Sequence, residues 1–505
     1  MGDPGSSGVI GAAPRDPVTL LRGGWLLAWE GGRHRVVAGG ELAFQGDRVL
    51  YAGERFAGVA DVTVDRPEWF ICPGLINLHG HIGVELMAPV VDVPRDSRFA
   101  PSQAFVELAS LFLEPSLTPE EQQLSAEFSL VQMLRCGATT VVDAAGSGPL
   151  WWLGNPPGDE ELLVETVGRL GCRAYLSLSY RSGRSFQRPD GSRDWHWDEA
   201  MGMAGLREAL RFAEAHRGAH GGRVEVLLTP HAVDNCSPNL LRATREAARA
   251  AGLLVQIHTA QYAHEVELIR RRYGDTPVGH LHSLGFLGPD IILGHCVFIS
   301  GHPAVGGDPA RDLGLIAASG SPVAHSPLPF ARAGEALHSL PRYLDHGIIV
   351  GMGCDIWPAD MIAEMRLAWF LGKHTSGSAE RPTCMEVLTA ATAGSADALG
   401  RGDLGRLAPG ARADIVCVDM SGYHFGPVLD PVRALVSCGT GGDVDTVFVD
   451  GRRVVAGGHV LFADETHLRA AAPGIMRRMA AAAADRDPLG RTIERILRLD
   501  ERSVV

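Results

Sequence analysis

Two textures alternate along the chain. From about Leu20 to Val64, apolar residues recur at every second position between glycine-rich turns, as in "LLRGGWLLAWEGGRHRVVAGGELAFQGDRVLYAG". That period of two predicts short β-strands. The pattern returns late, in "ADIVCVD" (Ala413–Asp419) and "VDTVFVDGRRVVAGG", where Asp450-Gly451 is a strong hairpin signal. Between these ends, short apolar runs alternate with longer helical stretches, the order of a parallel sheet with crossover helices. Eight runs stand out: "FICPGLINLHGH", "ATTVVDAAG", "RAYLSLSYR", "VEVLLTPHA", "LLVQIHTAQ", "IILGHCVF", "SPVAHSPL" and "IIVGMGCD". They predict an α/β fold, a (β/α)8 TIM-like barrel inserted into a small composite β-sandwich domain built from both chain ends. The expected division is a flexible tail over 1–16, a first β-sandwich segment over 17–70, the barrel over 71–402, a second β-sandwich segment over 403–463 and C-terminal helices over 464–505. One intervening helix carries its own punctuation. Thr118 is placed to cap it, Pro119 takes the first turn, Glu121 completes a capping box and Gly137 ends it.

Composition narrows the functional classes. An apolar fraction of 46% over 505 residues supports a sizeable core. The net charge is −13, arginine supplies almost all positive charge, and Lys373 is the sole lysine. With no basic cluster, nucleic acid is not an expected partner. Nine cysteines are dispersed without a C-x-x-C pair, which suits buried thiols in a reducing, cytoplasmic setting. No apolar run reaches the ~18–20 residues of a membrane helix. The opening "MGDPGSSGVIGAAPRD" reads as a Gly/Pro/Ser tail rather than a signal peptide, despite a nominal fit to a short lipidation pattern.

Chemistry-bearing residues gather at the predicted strand ends. The first run ends in His79 and His81, two positions apart and so on one face, with Gly80 leaving no side chain between them. That is a chelating arrangement. His231 ends the fourth run, His258 the fifth, His295 the sixth and Asp355 the eighth. In a barrel these positions share the C-terminal mouth. A single histidine at a strand end is mostly structural, and His34, His216, His220, His302, His346, His424 and His459 belong to that class. The joint set is different: imidazoles and a carboxylate together suit one divalent transition metal, Zn2+ or alternatively Fe2+, in a hydrolytic site.

The motifs "PGLINLHGH", "PHAVDNCSP", "QIHTAQ", "ILGHCVF", "GMGCD" and "LGRLAPGARADIVCVD" resemble the amidohydrolase superfamily over roughly residues 17–470. More narrowly they look like its cytosine-deaminase and triazine-hydrolase branch, and "HTAQ" with "SPLPFARAG" is similar to the molinate and phenylurea hydrolase group. The resemblance implies that His79, His81, His258 and Asp355 are metal ligands. It puts His295 beside the attacking water or the substrate carbonyl, and His231 facing substrate.

Two departures shape the expected chemistry. The fourth run has no lysine to bridge two metals, so a mononuclear site is expected. Gln261 stands where the deaminase branch places a glutamate proton shuttle, three residues after the strand-five histidine. Glutamine cannot act as a general acid or base, though it can hydrogen-bond. His264 and Glu265 could substitute, but their position reads as a solvated helix start. The expectation is hydrolysis of an amide, urea or carbamate C–N bond. Asp355 would accept the proton of the attacking water, His295 would polarise the carbonyl, and Gln261 would position substrate or water. The alternative is a deaminase or dechlorinase of an N-heteroaromatic ring of purine, pyrimidine or s-triazine type. A catalytically inactive scaffold is a third reading, disfavoured by the retained ligand set.

The expected partner is a small-molecule substrate, with a homodimer as the assembly and no membrane contact. Trp151 and Trp152, and the later Phe186, Trp195 and Trp197, fall on barrel-mouth loops, where they would wall a pocket or pack their own loops. Arg181 and Arg332 could bind a carboxylate or pair within the protein. His325 and Phe330 complete the candidate lining.

Overall fold

The computed structural model describes residues 16–87, 117–144, 159–187, 193–487 and 490–497. The small β unit starts with β1 (Val18–Glu30), β2 (Arg33–Ala38), β3 (Glu41–Gln45), β4 (Arg48–Gly53) and β5 (Val62–Pro73). The central region supplies β6 (Leu75–Gly80), β7 (Ala138–Asp143), β8 (Arg173–Leu176) and β9 (Ser179–Tyr180). A hairpin follows, β10 (Gly183–Gln187) and β11 (Arg193–Trp197). Then come β12 (Val224–Val226), β13 (Thr229–Pro230), β14 (Val255–Thr259), β15 (Ile291–His295), β16 (Val323–His325) and β17 (Val350–Met352). The late strands are β18 (Ile415–Asp419), β19 (Val444–Val449), β20 (Arg452–Ala456) and β21 (His459–Val460).

Early and late strands share one nine-stranded sheet in the order β21-β20-β19-β18-β5-β1-β3-β4, with β2 on β1. Antiparallel pairing of β18 with β5, from Ile415 opposite Pro73 to Asp419 opposite Trp69, joins the two chain ends. The β19–β20 turn is the one expected, with Asp450 and Gly451 both at positive φ (48° and 72°). Three strands lie between β19 and β3, which in a flat sheet would put them about 19 Å apart. The Phe44 and Phe448 rings nevertheless meet at 5.4 Å. The sheet therefore coils until its halves face each other over a core that includes Leu21, Leu42, Ile71 and Ile415.

The central strands are parallel, in two four-stranded arrays, β12-β8-β7-β6 and β14-β15-β16-β17, with a short β9–β13 pair. The third and fourth predicted strands are each broken in two, as β8 with β9 and β12 with β13. Isolated parallel bridges link Leu228 with Val255 and Ala232 with His258, and another links Gly80 with Asp355. Strands β6, β7, β8, β14 and β15 are buried at every residue, as a parallel sheet covered on both faces must be. Inside them, Ile76, Leu78, Val142, Tyr175, Leu227, Ile292 and Ala324 form one cluster.

The helix Pro119–Arg135 has the expected cap. Thr118 accepts from the Glu121 backbone, Glu121 accepts from the Thr118 backbone, and Gly137 follows at φ 84°. At the C-terminal end, the helix Glu465–Arg486 packs Ile475, Met479, Ala480 and Ala483 against Val84, Leu86 and Trp357, beside the loop that follows the last parallel strand. Among the described residues no helix is long and apolar enough to cross a membrane.

Candidate metal centre

Three of the parallel strands that carry candidate ligands, those leading to His258, His295 and Asp355, end in a tight change of direction. Ala260 (φ 49°), Cys296 (φ 54°) and Asp355 (φ 55°) all adopt the left-handed region just after, or at, the residues of interest. Non-glycine residues rarely pay that cost without a reason, and such strain gathers at functional sites. Asn77 braces the end of β6, its Oδ1 accepting from the backbone N–H groups of His79 (3.3 Å) and Cys354 (3.0 Å). The carbonyl of His79 accepts from Asp355 N at 2.7 Å, and His81 N donates to the Asp355 carbonyl at 3.0 Å. Gly294 keeps the approach open, because a Cβ there would lie 2.9 Å from the His79 ring.

These strand ends bring His79, His81, His258, His295 and Asp355 together. His81 Nε2 lies 2.9 Å from Asp355 Oδ1, while His79 Nε2 and His295 Nε2 each lie 3.7 Å from an Asp355 oxygen. The His79 ring is 4.3 Å from that of His295 and 4.8 Å from that of His258. Two overlapping groups, His79–His258–His295 and His79–His81–Asp355, each keep their ligand atoms within 4.8 Å of one another.

The donor set fits a cation. Both ring nitrogens of His79 and of His295 are buried with no hydrogen-bond partner, an arrangement that costs free energy unless something is held there. His258 donates from Nδ1 to the His231 carbonyl at 2.6 Å, which leaves its Nε2 lone pair for a ligand. Burial lowers His258 to about 4 and His295 to about 3, and puts His79 well below the ordinary imidazole value. All three are neutral near pH 7, as ligation requires. His81 differs: burial opposes its charge, but the Asp355 carboxylate outweighs that and raises its pKa. Burial likewise opposes the Asp355 charge, and His295, His81 and His258 overcome it, bringing the carboxyl down to about 2. Lys373, on the helix Met361–Ser376, bonds the Ala379 carbonyl and lies over Trp369. It is not a bridging ligand, and one shared cluster describes a mononuclear site.

The family model for the amidohydrolase family matches residues 70–454. The chain belongs to the amidohydrolase family. A 5-methylthioadenosine/S-adenosylhomocysteine deaminase of Desulfitobacterium hafniense is 28% identical over 421 residues, covering 82% of this chain and 88% of that protein. A 5'-deoxyadenosine deaminase of Methanosarcina mazei is 28% identical over 437 residues, 84% of this chain and 90% of the relative. Among solved structures, a zinc-bound adenosine deaminase from Xanthomonas campestris superposes with a TM-score of 0.77 at 21% identity, covering 93% of this chain and all of the other. A zinc complex of atrazine chlorohydrolase from Arthrobacter aurescens gives 0.75 at 23%, covering 91% and 100%. This amidohydrolase thus sits on the deaminase and triazine-hydrolase side of its family.

The remaining candidates spread around the centre. His231 follows β13, partly exposed, with its ring 5.1 Å from that of His258. Phe330 is buried with its ring 4.9 Å from that of His295. His325 ends β16, buried, with Nδ1 unpartnered, and burial lowers it to about 4. Arg332 is half-buried, 5.5 Å over the Trp357 ring. Arg181 follows β9, close enough to His231 to lower that ring's pKa, after burial and His258. Trp195 and Trp197 are committed elsewhere: the Arg272 guanidinium lies 4.7 Å and 4.9 Å from their rings, a cation–π clamp between β11 and the helix Ala263–Tyr273. Trp151 and Trp152 lie outside the described residues.

Glu265 requires a correction. It is no solvated helix start: the side chain is buried, and its carboxylate accepts from the backbone N–H groups of Ala260 and Gln261, both at 2.8 Å. Burial and Asp234 raise its pKa to about 8, despite those two amides. It braces the turn that carries Gln261.

Sequence reasoning passed over Asn77, Asn235, Glu85 and Glu364. Glu364 accepts from Leu328 N at 3.0 Å, and Glu85 accepts from Ala359 N at 3.2 Å. Both are buried, and burial raises both, Glu85 to about 7. Only Asn77 had a legible signal, a polar residue inside the apolar run before the two histidines.

Proposed function

We propose that this amidohydrolase cleaves a C–N bond of amide, urea or carbamate type in a small organic substrate, using a water activated by one Zn2+ ion. The supporting observation is Gln261. It occupies the turn after His258 and offers no titratable group, and its acidic neighbour Glu265 is tied to two backbone amides. His79, His81, His258 and Asp355 would hold the ion, whose donor set also suits Fe2+. A bound divalent cation supplies Lewis acidity and brings the pKa of a water it holds toward ~7.

The residues divide the remaining work. Asp355 accepts the proton of the attacking water on a carboxylate oxygen and returns it to the leaving nitrogen. His295, neutral at pH 7 and packed against Phe330, donates an N–H to the substrate carbonyl. His231 and Gln261 position substrate, with Arg181, His325, Phe330 and Arg332 lining the mouth. An amide-type bond suits this equipment, since it needs a polarised carbonyl and one shuttle, whereas ring deamination needs a further acid at a ring nitrogen.

We read the parallel strands as one closed (β/α)8 barrel, supported by the Gly80–Asp355 bridge and the internal cluster shared by five strands and by Leu227 between β12 and β13. The coiled nine-stranded sheet is the composite β-sandwich around 17–70 and 403–463. A cytoplasmic homodimer acting on a free small molecule is the matching cellular form, in keeping with nine unpaired cysteines.

Ring deamination is the second reading, favoured by the names of the two deaminase relatives. One rate panel separates them, with a phenylurea, an N-aryl carbamate, an anilide, adenosine and cytosine offered to the wild type and to Gln261→Glu. The proposal expects wild-type turnover of the first group only, no gain there for Gln261→Glu, and new or higher ammonia release from the rings in that variant. Rapid wild-type deamination of adenosine that Gln261→Glu does not improve would establish the second reading.

A further inference from the structure

Two adjacent imidazoles in this site are held as opposite tautomers. His258 carries its proton on Nδ1, where it donates to the His231 carbonyl at 2.6 Å. His231 is governed by Asn235, a buried residue whose side chain lies 2.8 Å from His231 Nδ1. The orientation of that amide is fixed by a partner that can only donate: the backbone N–H of Ala232 reaches Asn235 Oδ1 at 3.1 Å. The Cys236 thiol approaches the same oxygen at 3.8 Å. The atom facing His231 is therefore the amide nitrogen, which has protons to give and no lone pair. His231 Nδ1 must accept.

A neutral imidazole has one proton, so here it lies on Nε2, the edge away from Asn235. Asn235 is itself locked in place. Its backbone carbonyl accepts from Ser182 N (3.2 Å) and Gly183 N (2.8 Å), which ties the loop after β13 to the start of the β10–β11 hairpin.

Resting on the reading of His231 as a substrate-facing residue, we propose that Asn235 is a positioning residue that fixes His231 as an Nε2–H donor. The substrate group it meets is then a hydrogen-bond acceptor, a carbonyl oxygen or an unprotonated ring nitrogen, and not an N–H or O–H group. A site that offers only a donor discriminates against ligands that bring another donor, because one of the two is left unpaired.

The test uses zinc-loaded protein with ring-15N histidine, the His231 signals being assigned by their loss in His231→Gln. Wild type should show a pyridine-like Nδ1 and a pyrrole-like Nε2. In Asn235→Asp, an oxygen replaces the amide nitrogen while the Ala232 bond can remain, and His231 Nδ1 should become pyrrole-like. With the panel compound that wild type hydrolyses, kcat/KM of Asn235→Asp should fall about tenfold or more, mainly through KM, with zinc content unchanged. A pyrrole-like Nδ1 in wild type would overturn the tautomer assignment. A flipped tautomer with unchanged kcat/KM would overturn the acceptor requirement. Failure of wild type on every panel compound would count against the C–N hydrolase reading, and the ring-15N result would still decide the tautomer.

Discussion

Replacing Asp355 with Asn keeps the side chain's shape and removes its charge and its basicity. The carboxylate is buried, 2.9 Å from His81 and 3.7 Å from both His79 and His295. Its pKa of about 2, against an ordinary 3.8, amounts to roughly 2 kcal/mol in favour of the ionised form. On the proposed function that ionised group serves as both ligand and proton acceptor, so the substitution should have two separable effects. Loss of the anionic ligand should weaken zinc binding, visible as substoichiometric metal after dialysis. Loss of the proton acceptor should lower kcat by about 10²–10⁴-fold, the usual span for a positioned acid–base group. Metal analysis alongside kcat over a zinc titration tells them apart. Excess zinc should refill the site without restoring turnover. Asp355→Asn with full zinc occupancy and kcat within tenfold of wild type would refute the proton-transfer role.

Three further outcomes follow from the same geometry. His81 is the one ligand whose pKa is raised, by Asp355, so protons should compete with zinc chiefly there. Zinc affinity should be level above the His81 pKa and fall about tenfold per pH unit below it, and affinity flat between pH 5 and 7 in a chelator competition would contradict this. Arg173 is fully buried, 2.6 Å from Asp450 and 3.3 Å from Asp414, joining the base of β8 to the small sheet. Arg173→Met leaves the buried Asp414 without its cation, beside an Asp450 that keeps Arg412 at 3.2 Å, and should cost about 3–5 kcal/mol, read from urea unfolding at fixed zinc. The double variant Arg173→Met/Asp414→Asn should cost less than the sum of the singles, and additive losses would show that the groups do not act as a pair. Arg272→Ala removes the cation between Trp195 and Trp197 and should loosen the β10–β11 hairpin, seen as faster amide hydrogen exchange there with zinc content unchanged. Unaltered exchange would mean that the clamp holds nothing.

The clustering of His79, His81, His258, His295 and Asp355 was legible in the sequence because each ends or closely follows a short apolar strand, and parallel strands bring their C-terminal ends to one place. The capping box at Thr118 and the Asp450-Gly451 turn were equally legible, since each depends on residues within a few positions of one another. What could not be read depends on contacts distant along the chain. Asn77 shows locally only as a polar residue in an apolar run, and its bracing role depends on an oxygen that reaches both His79 and Cys354, the latter 277 positions away. Glu265 misled because a carboxylate in the first turn of a helix is ordinarily solvated. Here the left-handed turn at Ala260 points two backbone amides at it and buries it. For Trp195 and Trp197 the sequence left wall and packing open, because composition alone cannot tell a tryptophan that meets a ligand from one that holds an arginine, and the structure shows packing against Arg272.

The same contrast bears on where the specificity of this enzyme is encoded. The cation-holding groups are first-order features of the strands, and the pattern that builds the fold also builds them. Proton positions around them are set one layer out: a backbone carbonyl directs the proton of His258, and Asn235, on the proposal above, that of the substrate-facing His231. Members of a family can therefore share ligands and fold while presenting a donor, an acceptor or a charge to the substrate at one point in space. Gln261 and Asn235 are the two places where this chain makes that choice with an amide, a group that orients but does not titrate. On the proposed function, an enzyme built this way depends on the Asp355 carboxylate for proton transfer and uses the rest of the mouth to hold the substrate still. That is the division of labour an amide, urea or carbamate requires, and it makes Gln261→Glu and Asn235→Asp informative as a pair: the first adds an acid where the chain has none, and the second reverses a hydrogen bond without touching the ligands.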